Sequence, residues 1–172
     1  VLPKDFQGDF LIAGYYARNI ARLRPTINGA GHKLQTLAPI LTSTHNAFRP
    51  VDLNTGPDGA LYVADWFNPI IGHYQASLRH PDRDKKHGRI WRITAKGAPL
   101  LKPPALAKMN AAQLCNQLAA TLRRTRQLAK LRLMDLPKAE AIAATQQWVD
   151  ALKPADPKLE AKLFEAIGVF ES

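Results

Sequence analysis

Apolar and polar residues alternate at two places in the chain with the period of a half-buried strand. Gly8-Asp9-Phe10-Leu11-Ile12-Ala13 and Gly59-Ala60-Leu61-Tyr62-Val63-Ala64 each set a turn glycine before alternating bulky residues, and the second run lies 51 positions after the first. Downstream, Asn19-Ile20-Ala21-Arg22-Leu23 aligns with Arg89-Ile90-Trp91-Arg92-Ile93 at an offset of 70, so the later copy carries 19 extra residues between its two strands. Ile20 and Leu23 match Ile90 and Ile93 as apolar anchors, and Arg22 matches Arg92. Short strands with glycine turns, repeated at about 50 residues, are the pattern of a propeller blade, a small sheet that buries its faces only against its neighbours. Residues 1–101 are therefore expected to form the closing part of a β-propeller, about two blades of it. Its open faces would be covered by further blades, by other pieces of a larger parent, or by self-association.

The period changes after Lys102-Pro103-Pro104. Nine of the ten glycines and all five histidines lie before residue 98, and the later region is rich in Ala, Leu, Lys and Gln. The proline pair continues neither a ladder nor a helix, so residues 102–109 read as a linker. Residues 110–172 read as four helices. Asn110 and Gln113 suit a capping box, followed by a Leu114, Leu118, Leu122 stripe. A second helix is expected over Thr125 to Met134, ending before Pro137. A third runs from Lys138 to Leu152 with Ala141, Ile142, Thr145, Trp148, Val149 and Leu152 on one face, and Asp156-Pro157 opens a fourth. Four helices in two hairpins predict HEAT-like repeats, with a small four-helix bundle as the alternative.

Composition narrows the function classes. The 172 residues carry a formal charge of +10, but the basic residues are interleaved with acids and no nucleic-acid motif accompanies them, so nucleic acid is not expected as a partner. No run approaches the roughly 20 apolar residues of a membrane helix, so no membrane segment is expected, and Val1-Leu2-Pro3-Lys4-Asp5 lacks the layout of a signal peptide. An opening without Met, and an end at Phe170-Glu171-Ser172 inside an apolar-periodic stretch, lead us to expect a fragment of a longer protein. Cys115 is the only cysteine, which excludes an internal disulfide, a thiolate zinc cluster and a CxxCH haem attachment within the chain.

Candidate chemistry concentrates in the 19-residue insertion and its approach. Asp65, Asn68, His73, Arg79, Asp82, Arg83, Asp84 and His87 bring carboxylates, imidazoles and guanidinium groups into one connection between strands. As a site, His73 and His87 would serve as acid and base, and Arg79, Arg83, Asn68 and Asp65 would bind a substrate or an anionic cofactor. Asp82 and Asp84 could hold calcium, although no EF-hand spacing is present. The structural alternative is a loop whose charges pair with one another and whose histidines donate to carbonyls.

Phe48-Arg49-Pro50-Val51-Asp52-Leu53, Gly56-Pro57-Asp58-Gly59 with the strand to Trp66, Asn68 to His73, Leu78 to Asp84 and His87 to Thr94 together resemble the membrane-bound dehydrogenases of the PVC-type haem-binding group. That resemblance implies a propeller similar to the glucose/sorbosone dehydrogenases, followed by HEAT repeats and a c-type cytochrome domain. It implies a periplasmic or extracytoplasmic parent that oxidises a sugar or alcohol, with pyrroloquinoline quinone and calcium as cofactors and haem c outside this chain. The remaining blades and the cytochrome domain would then be partners, and the isolated chain would be inactive. The competing expectation is a non-catalytic scaffold that binds protein or glycan partners.

Overall fold

The computed structural model describes residues 2–72 and 77–171, which fall into two compact units, Val1–Leu100 and Leu101–Ser172. The first unit holds six strands: β1 (Phe10–Gly14), β2 (Asn19–Asn28), β3 (Gly31–Thr42), β4 (Pro50–Thr55), β5 (Leu61–Asp65) and β6 (Arg89–Ile93). They form two separate antiparallel sheets in the orders β1-β2-β3 and β4-β5-β6.

The strand alternation places these hairpins in the same register. Phe10 pairs with Leu23 and Ala13 with Ile20, while Leu61 pairs with Ile93 and Ala64 with Ile90, so the two copies match residue for residue at offsets of 51 and 70. Gly56-Pro57-Asp58-Gly59 makes the turn into β5. Gly59 takes a φ of 79° that a side chain would strain, its amide donates to the Gly56 carbonyl at 2.9 Å, and the Ala60 amide donates to Asp58 Oδ1 at 3.1 Å. β2 and β3 extend well past the repeat, joined through Gly29-Ala30 with Gly29 at a φ of 61°.

The propeller expectation is corrected here. Each sheet has three strands, neither is closed or curled, and the unit is a pair of stacked sheets. Alternation and glycine turns specify antiparallel hairpins, and hairpins of that kind serve many sheet arrangements besides a propeller ring. Ile20 from the first sheet meets Leu61 and Val63 from the second in one buried cluster, with Leu11, Ile40, Leu41, Leu53 and Ile93 packed around it.

The second unit contains α1 (Ala111–Gln117), α2 (Arg123–Met134), α3 (Lys138–Asp150) and α4 (Leu159–Phe170). The α1 cap is reciprocal: Asn110 Oδ1 accepts from the Gln113 amide at 2.9 Å, and Gln113 Oε1 accepts from the Asn110 amide at 3.0 Å. α1 is shorter than its leucine stripe predicts, because Leu122 lies in the extended N-cap of α2. α4 starts after Lys158, with Asp156 accepting from the Lys158 amide at 2.8 Å just ahead of it. Leu106 and Met109, expected in a linker, pack against the helical core through a short 3-10 turn at Leu106–Lys108.

The HEAT-like solenoid is likewise not evidenced. One cluster of Ala111, Leu114, Cys115, Leu118, Ala129, Leu133 and Val169 is shared by α1, α2 and α4, and α3 adds Ala144 and Trp148 to it. α1 lies against α2 and α3, and so does α4. Helices that meet around one core have the packing of a small bundle, whereas stacked repeats bury a core between successive pairs. Glu165 joins α4 to α2, accepting from Arg126 Nε at 2.8 Å and lying 2.6 Å from Lys130 Nζ. No helix among the described residues is long and apolar enough to cross a membrane.

Candidate functional site

At the end of β5 the chain delivers Asp65 into the interior of the first unit, where its carboxylate is fully enclosed. Oδ1 accepts from the Arg49 amide at 2.8 Å and the Phe67 amide at 3.0 Å. Oδ2 accepts from Arg89 Nε and Trp91 Nε1, both at 2.9 Å. Burial by itself raises the carboxyl pKa; the donated bonds from Arg49, Trp91, Phe67 and Arg89 outweigh it and hold the group below the usual carboxylate range. A carboxylate with both oxygens engaged ties β4, β5 and β6 together and leaves little for a ligand.

Phe67 follows in a left-handed conformation, with a φ of 53°, between Arg89 on one ring face at 3.8 Å and the rings of His45 and His87 at 5.6 and 6.2 Å. Strain of this kind persists where surrounding contacts over-determine the backbone. Phe67 and Arg49 belong to this assembly and were not among the site residues expected from the sequence. Arg49 is buried with its Nη1 donating to the Phe48 carbonyl at 2.9 Å, and burial lowers its pKa from the ordinary arginine value. The signal available in the sequence was a bulky, charged stretch, Phe48-Arg49-Pro50, placed directly ahead of a strand.

The connection from Trp66 to Gly88 is held largely by its own groups. Asn68 is buried: its Nδ2 donates to the Asp84 carbonyl at 2.9 Å, and its Oδ1 accepts from the Ile70 amide at 3.1 Å. Arg83 reaches the Ser77 carbonyl from Nε at 2.9 Å and the Gly72 carbonyl from Nη2 at 2.8 Å. Asp84 Oδ1 accepts the Lys86 and His87 amides at 2.9 Å each, and Oδ2 lies 2.7 Å from His87 Nδ1. The Lys86 amide and the His87 ring lower the Asp84 pKa from the usual aspartate value.

These positions separate the expected site residues. Asp84 and His87 come together, while Arg79 is exposed with its amide bonded to Ser77 Oγ at 3.1 Å, and Asp82 is exposed with His80 Nδ1 3.9 Å away. His73 lies outside the described residues. For the proposed calcium pair, Asp84 faces N–H donors where a cation needs open oxygens, and no group of three or more His, Cys, Asp or Glu suited to a metal occurs among the described residues. An open cleft of about 550 Å³ runs beside this loop, lined by His45, Phe67, His80, Asp84, Lys86 and His87 among others. Ala47, Phe67, Pro69 and Pro81 give it an apolar side, and the charged and imidazole groups give it a polar one.

The other exposed feature of this unit is apolar. Phe10 and Ile12 are 54% and 47% exposed on the outer face of the first sheet, and Ile90 is 76% exposed on the outer face of the second. The cations nearest to these strands are already paired. Arg22 and Arg24 bind Asp9 at 2.5 and 2.8 Å, and Arg92 binds Asp58 at 2.5 Å. Bonds from Arg24, working against burial and joined by those from Arg22, hold the Asp9 carboxyl at about 2.

The family model that matches residues 1–97 is described as a domain of unknown function, DUF7133. The resemblance to the PVC-type haem-binding dehydrogenases is corrected by this match and by the unclosed sheets, and no oxidoreductase or sorbosone-dehydrogenase signature accompanies them. No curated protein and no solved structure matches the chain. With more than half of its residues covered by that model, the chain belongs to the DUF7133 family.

Proposed function

We propose that the chain is a non-catalytic binding module whose first unit presents its outer sheet faces to a protein partner. The observation that carries this reading is the exposure of Phe10, Ile12 and Ile90 on regular strands, with Arg92 on the Ile90 face already paired with Asp58. Apolar strand faces of this kind suit another protein surface, because the core of a protein–protein contact is depleted of charge and enriched in apolar and aromatic residues. Two of the candidate binding and metal residues, and one of the two candidate acid–base histidines, are engaged within the fold. Asp65 and Asp84 spend their oxygens on the fold, and His87 is held by Asp84.

An environment-sensitive anilinonaphthalene sulfonate dye tests the reading. The folded chain is expected to enhance its fluorescence, and Ile90→Lys combined with Ile12→Lys is expected to remove most of that enhancement without changing the thermal melt. A dye response absent in the wild type, or unchanged in the double variant, would contradict it.

A further inference from the structure

The two hairpins of the first unit stack in one sense. Side chains alternate across a strand, so Ile20 shares a face with Leu11 and Ala13, while Phe10, Ile12 and Leu23 occupy the opposite face. In the second sheet the equivalents of the first group are Ile90, Tyr62 and Ala64, and those of the second group are Leu61, Val63 and Ile93. The contact inside the unit joins the Ile20 face of one sheet to the Leu61 and Val63 face of the other. Unlike faces meet. Each face left open is therefore the counterpart of one that is covered.

Exposure follows this equivalence. Ile20 is fully buried and Ile90 is 76% exposed, while Leu61 and Val63 are 4% and 0% exposed against 54% and 47% for Phe10 and Ile12. Charge follows it too, since Arg22 beside Ile20 is paired with Asp9 and Arg92 beside Ile90 is paired with Asp58. The unit thus carries one face of each kind, and its interior shows how the two kinds fit.

We propose that a second copy of this chain docks head to tail, its Ile90 face seated on the Phe10 and Ile12 face as Ile20 is seated on Leu61 and Val63. The proposal rests on the binding-module reading and names the partner. A heterologous contact leaves an open face at each end, so association continues beyond a dimer unless a ring closes. A two-fold dimer would instead set like against like, an arrangement with no counterpart inside the unit.

Sedimentation velocity on the full chain over a concentration series tests the proposal, with Ile90→Lys blocking one face and Ile12→Lys the other. Wild type is expected to form species larger than a dimer. Each variant alone is expected to stay monomeric, with association weakened at least about tenfold. An equimolar mixture of the two variants is expected to form a dimer and stop there, because each supplies the face that the other lacks. Should either lysine lower the thermal melt, serine at the same position takes its place. A mixture that stays monomeric, or a single variant that associates like wild type, would overturn head-to-tail docking. A monomeric wild type would also overturn it, and the dye measurement then separates the two claims: dye bound at the open faces leaves the binding-module reading standing, and no dye bound removes both.

Discussion

Ile20 and Ile90 hold the same register in two hairpins, each opposite an alanine, yet Ile20 is sealed in the core and Ile90 is 76% exposed. Covering Ile20 removes its side chain from water, and truncating it leaves a cavity that the two sheets cannot fill by collapse. Ile20→Ala is expected to destabilise the first unit by about 2–5 kcal/mol, and Ile90→Ala by less than about 0.5 kcal/mol in dilute solution. Urea melts of the two variants check this, and equal losses would mean that the two faces are not distinguished as described.

Asp65 gathers two amides, an indole and a guanidinium around one enclosed carboxylate. Asparagine keeps the shape but turns an NH2 group toward those donors and leaves Arg89 without its counter-charge. Asp65→Asn is expected to cost about 3 kcal/mol. A thermal melt within experimental error of wild type would show that the carboxylate is dispensable.

Asp9 provides a pH signature. Its folded value of about 2 lies below the ordinary 3.8, so the unfolded chain binds the proton first as acid is added. Its contribution to stability is complete above the ordinary value and disappears as the pH falls through about 2. Arg24→Gln removes the largest cause of the shift, and its urea midpoint is expected to fall less steeply than wild type between these two pH values. Parallel acid limbs for the two proteins would contradict the assignment.

Asn68 connects the two ends of the 66–88 connection, through the Asp84 carbonyl and the Ile70 amide. Asn68→Ala leaves both backbone groups unpaired in a buried place and is expected to cost about 1–3 kcal/mol. Limited proteolysis is expected to cut the variant first between residues 77 and 87, while the helical unit keeps its wild-type resistance. Unchanged cleavage of this connection would remove Asn68 from its role.

Buried Cys115 lies 3.6 Å from Thr145 Oγ1, and burial raises its thiol pKa. A protonated, enclosed thiol reacts slowly with disulfide reagents. Labelling of the folded chain is expected to be at least about a hundredfold slower than in denaturant, at a rate set by opening of the helical unit. Labelling in the native state at the free-thiol rate would contradict the packing of α1 against α3.

The parts that local chemistry encodes were legible in the sequence. Period-2 alternation located β1, β5 and β6 and their equivalence, Gly59 marked its turn, and Asn110 with Gln113 gave the capping box. The association of elements was not legible. β3 and β4 have weak alternation, and their pairing to β2 and β5 is a tertiary fact. Whether hairpins stack as two sheets or close into a propeller depends on contacts many residues apart, so the repeat alone pointed to the wrong architecture. Leu114, Leu118 and the Thr145 face specified buried helix faces but not whether those faces stack as repeats or share one core. In the candidate site the sequence identified a charged connection, and geometry then divided it: Asp65, Asn68 and Asp84 turned inward to the fold, and Arg79 and Asp82 outward to solvent.

Hydrogen exchange at increasing protein concentration tests most directly whether the outer sheet faces are the interaction surfaces. The account predicts that amides of β1 and β6 slow together as concentration rises, that α1 to α4 stay unchanged, and that Ile90→Lys abolishes the slowing. Exchange in β1 and β6 that is independent of concentration, or protection that appears only in the helices, would contradict it.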